Sequence, residues 1–107
     1  MGYRVDRRAD LVLTDMDGAV VDVLIGVPIG DVMEYDAIEG VEESWAKFLE
    51  LATPTWNLED AHGAIPVAAE SFTRLPVPVI RAILHEWREA VVNPPAPLPP
   101  QSSDTAT

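Results

Sequence analysis

Residues Leu11–Ile25 read Leu-Val-Leu-Thr-Asp-Met-Asp-Gly-Ala-Val-Val-Asp-Val-Leu-Ile. Two runs rich in Val, Leu and Ile flank Asp17-Gly18, a pair that favours a two-residue type I′ turn because glycine accepts positive φ without a Cβ clash. A hairpin closed there sets Met16 opposite Ala19, Thr14 opposite Val21 and Val12 opposite Val23. One face then carries Val12, Thr14, Met16, Val21, Val23 and Ile25, a side fit to cover a core.

Downstream the period changes from two to about 3.6. Pro28 and Gly30 interrupt the strand, and a short helix is expected over Asp31–Ile38. In Val41–Ala52, the residues Val41, Trp45, Phe48, Leu49 and Ala52 form an i, i+4, i+7, i+8 stripe. Glu42 and Glu43 suit its first turn, where the helix dipole favours anions, and Pro54 stops it. Trp56–Ile65 reads as a connection around a turn at His62-Gly63, and Val67–Thr73 as a short helical segment. The last helix is expected over Pro78–Val92, with Ile80, Ile83, Leu84, Trp87 and Val91 in one stripe. The expected fold class is therefore α+β: an N-terminal β-hairpin followed by three or four short helices, mainly helical.

The chain has 107 residues, enough for one small domain. Residues 1–9 read as an N-terminal arm, 10–93 as the folded domain, and 94–107 as a flexible, disordered Pro-rich tail. That tail, Pro-Pro-Ala-Pro-Leu-Pro-Pro-Gln-Ser-Ser-Asp-Thr-Ala-Thr, cannot bury a core of its own and favours polyproline II. Cysteine is absent, which excludes disulfides, thiolate metal sites and a cysteine nucleophile, and suits a reducing cytoplasm. With 7 Lys+Arg against 18 Asp+Glu the formal net charge is −11, so nucleic acid and anionic membranes are repelled. No apolar run approaches the roughly 20 residues of a spanning helix, and Met1–Asp10 lacks the apolar region of a signal peptide.

Asp15-Met16-Asp17-Gly18 follows an apolar run and resembles the first motif of haloacid-dehalogenase-type phosphatases. The resemblance would make Asp15 the nucleophile and Asp17 the general acid. That chemistry also needs a downstream Ser/Thr, a phosphate-binding Lys and a second acidic pair for Mg²⁺. The only lysine is Lys47, on a helix beside Phe48, and no apolar strand precedes Glu59-Asp60. An EF-hand fails too, because Gly18 is the fourth rather than the sixth residue counted from Asp15. His62 and His85 are too far apart in sequence to suggest a metal site, and an Asp60–His62 acid–base pair lacks a nucleophile. No catalytic residue, cofactor or metal is expected.

The order Trp56-Asn57-Leu58-Glu59-Asp60, then Gly63, Pro66, a short helix, Pro78, a final helix with Trp87, and Pro95-Ala96-Pro97-Leu98 resembles small tail assembly chaperone-type proteins. These are encoded in the tail operons of long-tailed phages and prophages of Actinobacteria. The segment Val27–Ile38 is shorter and more broken than the central helix of that family. The resemblance implies a non-enzymatic virion morphogenesis factor in the cytoplasm of the bacterial host, not expected in the mature virion. It would bind the tape measure protein, keep it soluble and help recruit tail tube protein. The alternative is a small acidic phage or prophage inhibitor or DNA mimic. A partner surface is expected on the helical half: Trp45, Phe48, Leu49, Leu84, Trp87, Arg88 and Val91. The competing expectation is that these stripes pack on each other and on the hairpin, with only their edge (Leu49, Leu84, Arg88) left to bind.

Overall fold

The computed structural model describes residues 5–11, 13 and 18–94. Two strands, β1 (Arg8–Leu11) and β2 (Val21–Leu24), open the fold as an antiparallel pair. A two-residue strand β3 (Thr55–Trp56) adds to the far side of β2, giving the order β1-β2-β3. Helix α1 (Ile29–Asp36) and helix α2 (Val41–Ala52) lie between β2 and β3 in the chain. A second small hairpin, β4 (Glu59–Asp60) and β5 (Gly63–Ala64), then leads to the single-turn helix α3 (Ser71–Arg74) and the long helix α4 (Val77–Val92). This is the α+β arrangement expected, with four helices after the hairpin.

The hairpin register is corrected. Val21 pairs with Leu11 rather than Thr14, and Val23 with Ala9 rather than Val12. The pairing therefore shifts by three residues, an odd number, which exchanges the two faces of the first strand. Leu11 and Leu13 are buried with Val21, Val23 and Ile25. The run Leu11-Val12-Leu13 is apolar at both parities, so alternation could not choose between them. Gly18 has φ +81°, and Asn57 clamps it from across the sheet. The Asn57 amide donates to the Gly18 carbonyl and accepts from the Val20 N–H, both at 2.8 Å. Thr14, Asp15, Met16, Asp17 and residues 95–107 lie outside the described residues, and so do the expectations placed on them.

β1 begins at Arg8, two residues before the expected domain boundary. Upstream of it the chain crosses closely over Gly26, where any Cβ would run into the Val5 carbonyl. The Ile25 and Gly26 N–H groups both donate to the Arg7 carbonyl, at 2.7 and 3.1 Å. Arg8 reaches further: it pairs with Asp22, and its guanidinium donates to the Thr53 hydroxyl and carbonyl at 2.9 and 2.8 Å. Thr53 is the left-handed C-cap of α2 (φ 39°), so a β1 side chain satisfies a helix-end carbonyl.

Helix α2 has the bounds expected from its stripe, and α4 begins one residue early, with Pro78 in its first turn. α1 starts directly after Pro28, two residues ahead of the expected segment, and α3 is one turn rather than the seven residues of Val67–Thr73. The core lies between the sheet and α2 and α4. It holds Leu11, Val21, Val23, Ile25, Trp45, Phe48, Ile80, Ile83 and Trp87, all at most 5% exposed. No described helix is long and apolar enough to cross a membrane.

Candidate partner-binding surface

The two helical stripes turn their aromatic residues inward. Phe48 is fully buried, and Trp45 and Trp87 are each 1% exposed. Phe48 and Trp87 meet edge-on at 5.2 Å between ring centroids, and Trp45 lies 5.0 Å from Phe48 and 5.9 Å from Trp56. Tyr35 of α1 closes the cluster edge-on against Trp87 at 5.0 Å. Such edge-to-face pairs set the negative ring face against a positive rim, a gain beyond area burial.

A buried indole must place its N–H, and all three do. Trp45 donates to the Ser71 hydroxyl (2.9 Å), Trp87 to the Leu24 carbonyl (2.9 Å) and Trp56 to the Ile65 carbonyl (2.8 Å). Each bond joins a different pair of elements, so the tryptophans are fixed core anchors. Four of the seven residues expected at the partner surface, Trp45, Phe48, Leu84 and Trp87, are thus interior and contribute no accessible contact. The other three, Leu49, Arg88 and Val91, are half-buried at the rim of the stripes. Arg88 is occupied: its guanidinium grips Asp36 through two bonds of 2.8 and 2.6 Å. That fork holds the Asp36 carboxyl below the usual range, while burial, with Asp36 beside it, raises the Tyr35 phenol.

Asp60 and His62 do not form an acid–base pair. The Asp60 carboxylate accepts two bonds from Arg74, at 3.0 and 2.7 Å, and one from the His62 backbone N–H at 2.8 Å. These donors, Arg74 first, pull its pKa from the ordinary 3.8 down to about 2. The group is a structural clamp tying the β4–β5 turn to α3. Nothing local in the sequence announces it, because the partners are 14 residues apart. Among the described residues no cluster of His, Asp or Glu could hold a metal ion.

Among the surface hollows, two are lined by described residues. The larger, about 420 Å³, is lined by Val5, Arg7, Ile25, Gly26, Val27, Pro28, Val91 and Pro94. The smaller, about 200 Å³, lies between Val41, Phe72, Val77, Ile80 and Arg81. Exposed apolar residues adjoin both: Val5, Ile29 and Val92 in or next to the first, Val41 and Val77 in the second. Arg8, Lys47, Arg74 and Arg88 are each engaged by carboxylates, and the net charge of −11 makes the field acidic. Compared with known proteins, the chain matches no family model, no curated protein and no solved structure.

Proposed function

We propose that this chain is a non-catalytic assembly chaperone of phage tails, which binds the tape measure protein in the host cytoplasm and holds it soluble while tail tube protein assembles. The order of motifs from Trp56 to Leu98 supports the reading. The structural observation that carries it is the partly exposed apolar rim left by two helices whose aromatic residues are spent on the core. Leu49 and Val91 on that rim, with exposed valines at both hollows, offer apolar contact, while the net charge of −11 keeps the chaperone itself soluble.

Co-expression with a tape measure protein of a long-tailed phage tests the reading. The expected result is a soluble complex recovered by pull-down. Leu49→Asp combined with Val91→Asp should leave the fold intact and release the partner. Tape measure protein that is equally insoluble with and without this chain would overturn the reading. The unneutralised acidic surface favours a second reading, an inhibitor that occupies a DNA-binding site. Competition with duplex DNA for a basic phage or host protein, in the absence of any tape measure contact, would select it.

A further inference from the structure

We infer that the smaller hollow receives one apolar side chain of a partner helix, and that a carboxylate one turn away on that helix pairs with Arg81. The inference deepens the tail assembly reading at one point and rests on it there: that the exposed valines of this hollow meet the partner. Three helices build the site. Val41 opens α2, Phe72 belongs to α3, and Val77 and Arg81 lie on α4 beside the buried Ile80. The hollow measures about 200 Å³, below the roughly 300–1,000 Å³ of small-molecule sites, so it suits a single side chain. Val41 is 39% exposed and Val77 58%, and an apolar group seated between them takes their surface out of water along with its own.

Charge selects the occupant. Arg8, Lys47, Arg74 and Arg88 are each tied to a carboxylate, whereas the exposed Arg81 forms no ion pair or side-chain hydrogen bond among the described residues. Its guanidinium is a fork of donors matched to a carboxylate, set at the lip of an apolar hollow. Val77 and Arg81 are one turn apart on the same face of α4, about 6 Å along its axis. A partner helix reproduces that offset when its apolar residue and its Asp or Glu are three or four positions apart. Away from Arg81 the sign reverses. Glu42 follows Val41, and Glu70 lies two residues before Phe72, both exposed, so the rest of the partner's face is basic. A wholly basic helix would set a cation against Arg81, and a wholly acidic one would be repelled around it. The mixed pattern fixes the register.

Two blocked helical peptides of Ala and Lys serve as probes, one with Leu and Glu four residues apart, its twin with Gln in place of that Glu. Titrated into the full chain, the Glu peptide should shift the Val41, Val77 and Ile80 methyl signals. It should bind at least about threefold more tightly than the Gln twin, although the twin carries the larger positive charge. Arg81→Gln should remove the difference and, at an exposed position, leave the circular dichroism unchanged. Equal affinities for the wild-type chain, unshifted Val41 and Val77 methyls, or a preference that survives Arg81→Gln would overturn the inference. Co-expression separates it from the broader reading. A tape measure complex indifferent to Arg81→Glu overturns this inference alone, and peptide selectivity without any tape measure complex overturns the tail assembly reading alone.

Discussion

The body of the molecule and its small lobe are held together by different physics. In the body, the sheet clasps α2 and α4 around Trp45, Phe48 and Trp87, and every large side chain there touches others of its kind. In the lobe, residues 57–75, two two-residue strands and one helical turn bury Ile65 and Leu75 and lean Leu58 and Phe72 against the edge of the core. Its order comes from named polar contacts: Arg74 on Asp60, Ile65 on the Trp56 indole, Ser71 on the Trp45 indole. Burial is additive and forgiving of small shifts, whereas a hydrogen bond is directional and fails as a unit. The lobe should therefore open locally before the body unfolds.

The largest effect is expected inside the body. Trp87→Ala removes an anchor shared by α4, α1 and β2, and should cost roughly 3–5 kcal/mol in chemical denaturation. A near-unchanged midpoint would dissolve the distinction between the regions. Next comes the joint. Ser71→Ala leaves the buried Trp45 indole N–H without an acceptor and should cost about 1–3 kcal/mol, more than truncating one exposed hydroxyl would. Within the lobe, Gly63 has φ +108°, so Gly63→Val should strain the backbone by about 1–2 kcal/mol. Hydrogen exchange should quicken over residues 59–75 and stay slow in α2 and α4. If α4 exchanges faster as well, the two regions form one cooperative unit.

The smallest effect is pH-dependent. The folded-state pKa of Asp60 is depressed, to about 2 against an ordinary 3.8. Its contribution is therefore complete above about pH 4 and is lost as pH falls towards 2. In Asp60→Asn that portion of the acid dependence should vanish, visible as a flatter stability curve against wild type over this interval. Identical curves would show that the clamp does not differ in strength between folded and unfolded chains.

The body was also the legible part of the sequence. The stripe from Val41 to Ala52 was readable because burial on one side of a helix imposes a repeat that survives any tertiary detail. Pro78 marked the start of α4 for the same local reason. The hairpin was visible as a pair of strands but not in register. Asp17-Gly18 suggested a tight turn, while the actual pairing answers to which leucines, Leu11 and Leu13, meet the core. β3, β4 and β5 are each two residues long and show no alternation to read. At the candidate surface, sequence named the right helices but could not tell inward from outward within a stripe. Trp45 and Trp87 went inside because β2 and α3 present acceptors for their N–H groups, a fact about residues far away in the chain.

The reach of Arg8 to Thr53 bears on the order in which the chain can assemble. The two residues are 45 apart in sequence, so α2 receives the donors at its C-terminal end from the first strand made. Before β1 and the end of α2 meet, the Thr53 hydroxyl and carbonyl lack the Arg8 donors. The last turn of α2 therefore frays until the loop between them closes, a non-local event that slows folding relative to helix formation alone. Any fragment beginning after Arg8 carries an α2 whose C-cap residue, Thr53, has lost its guanidinium donor.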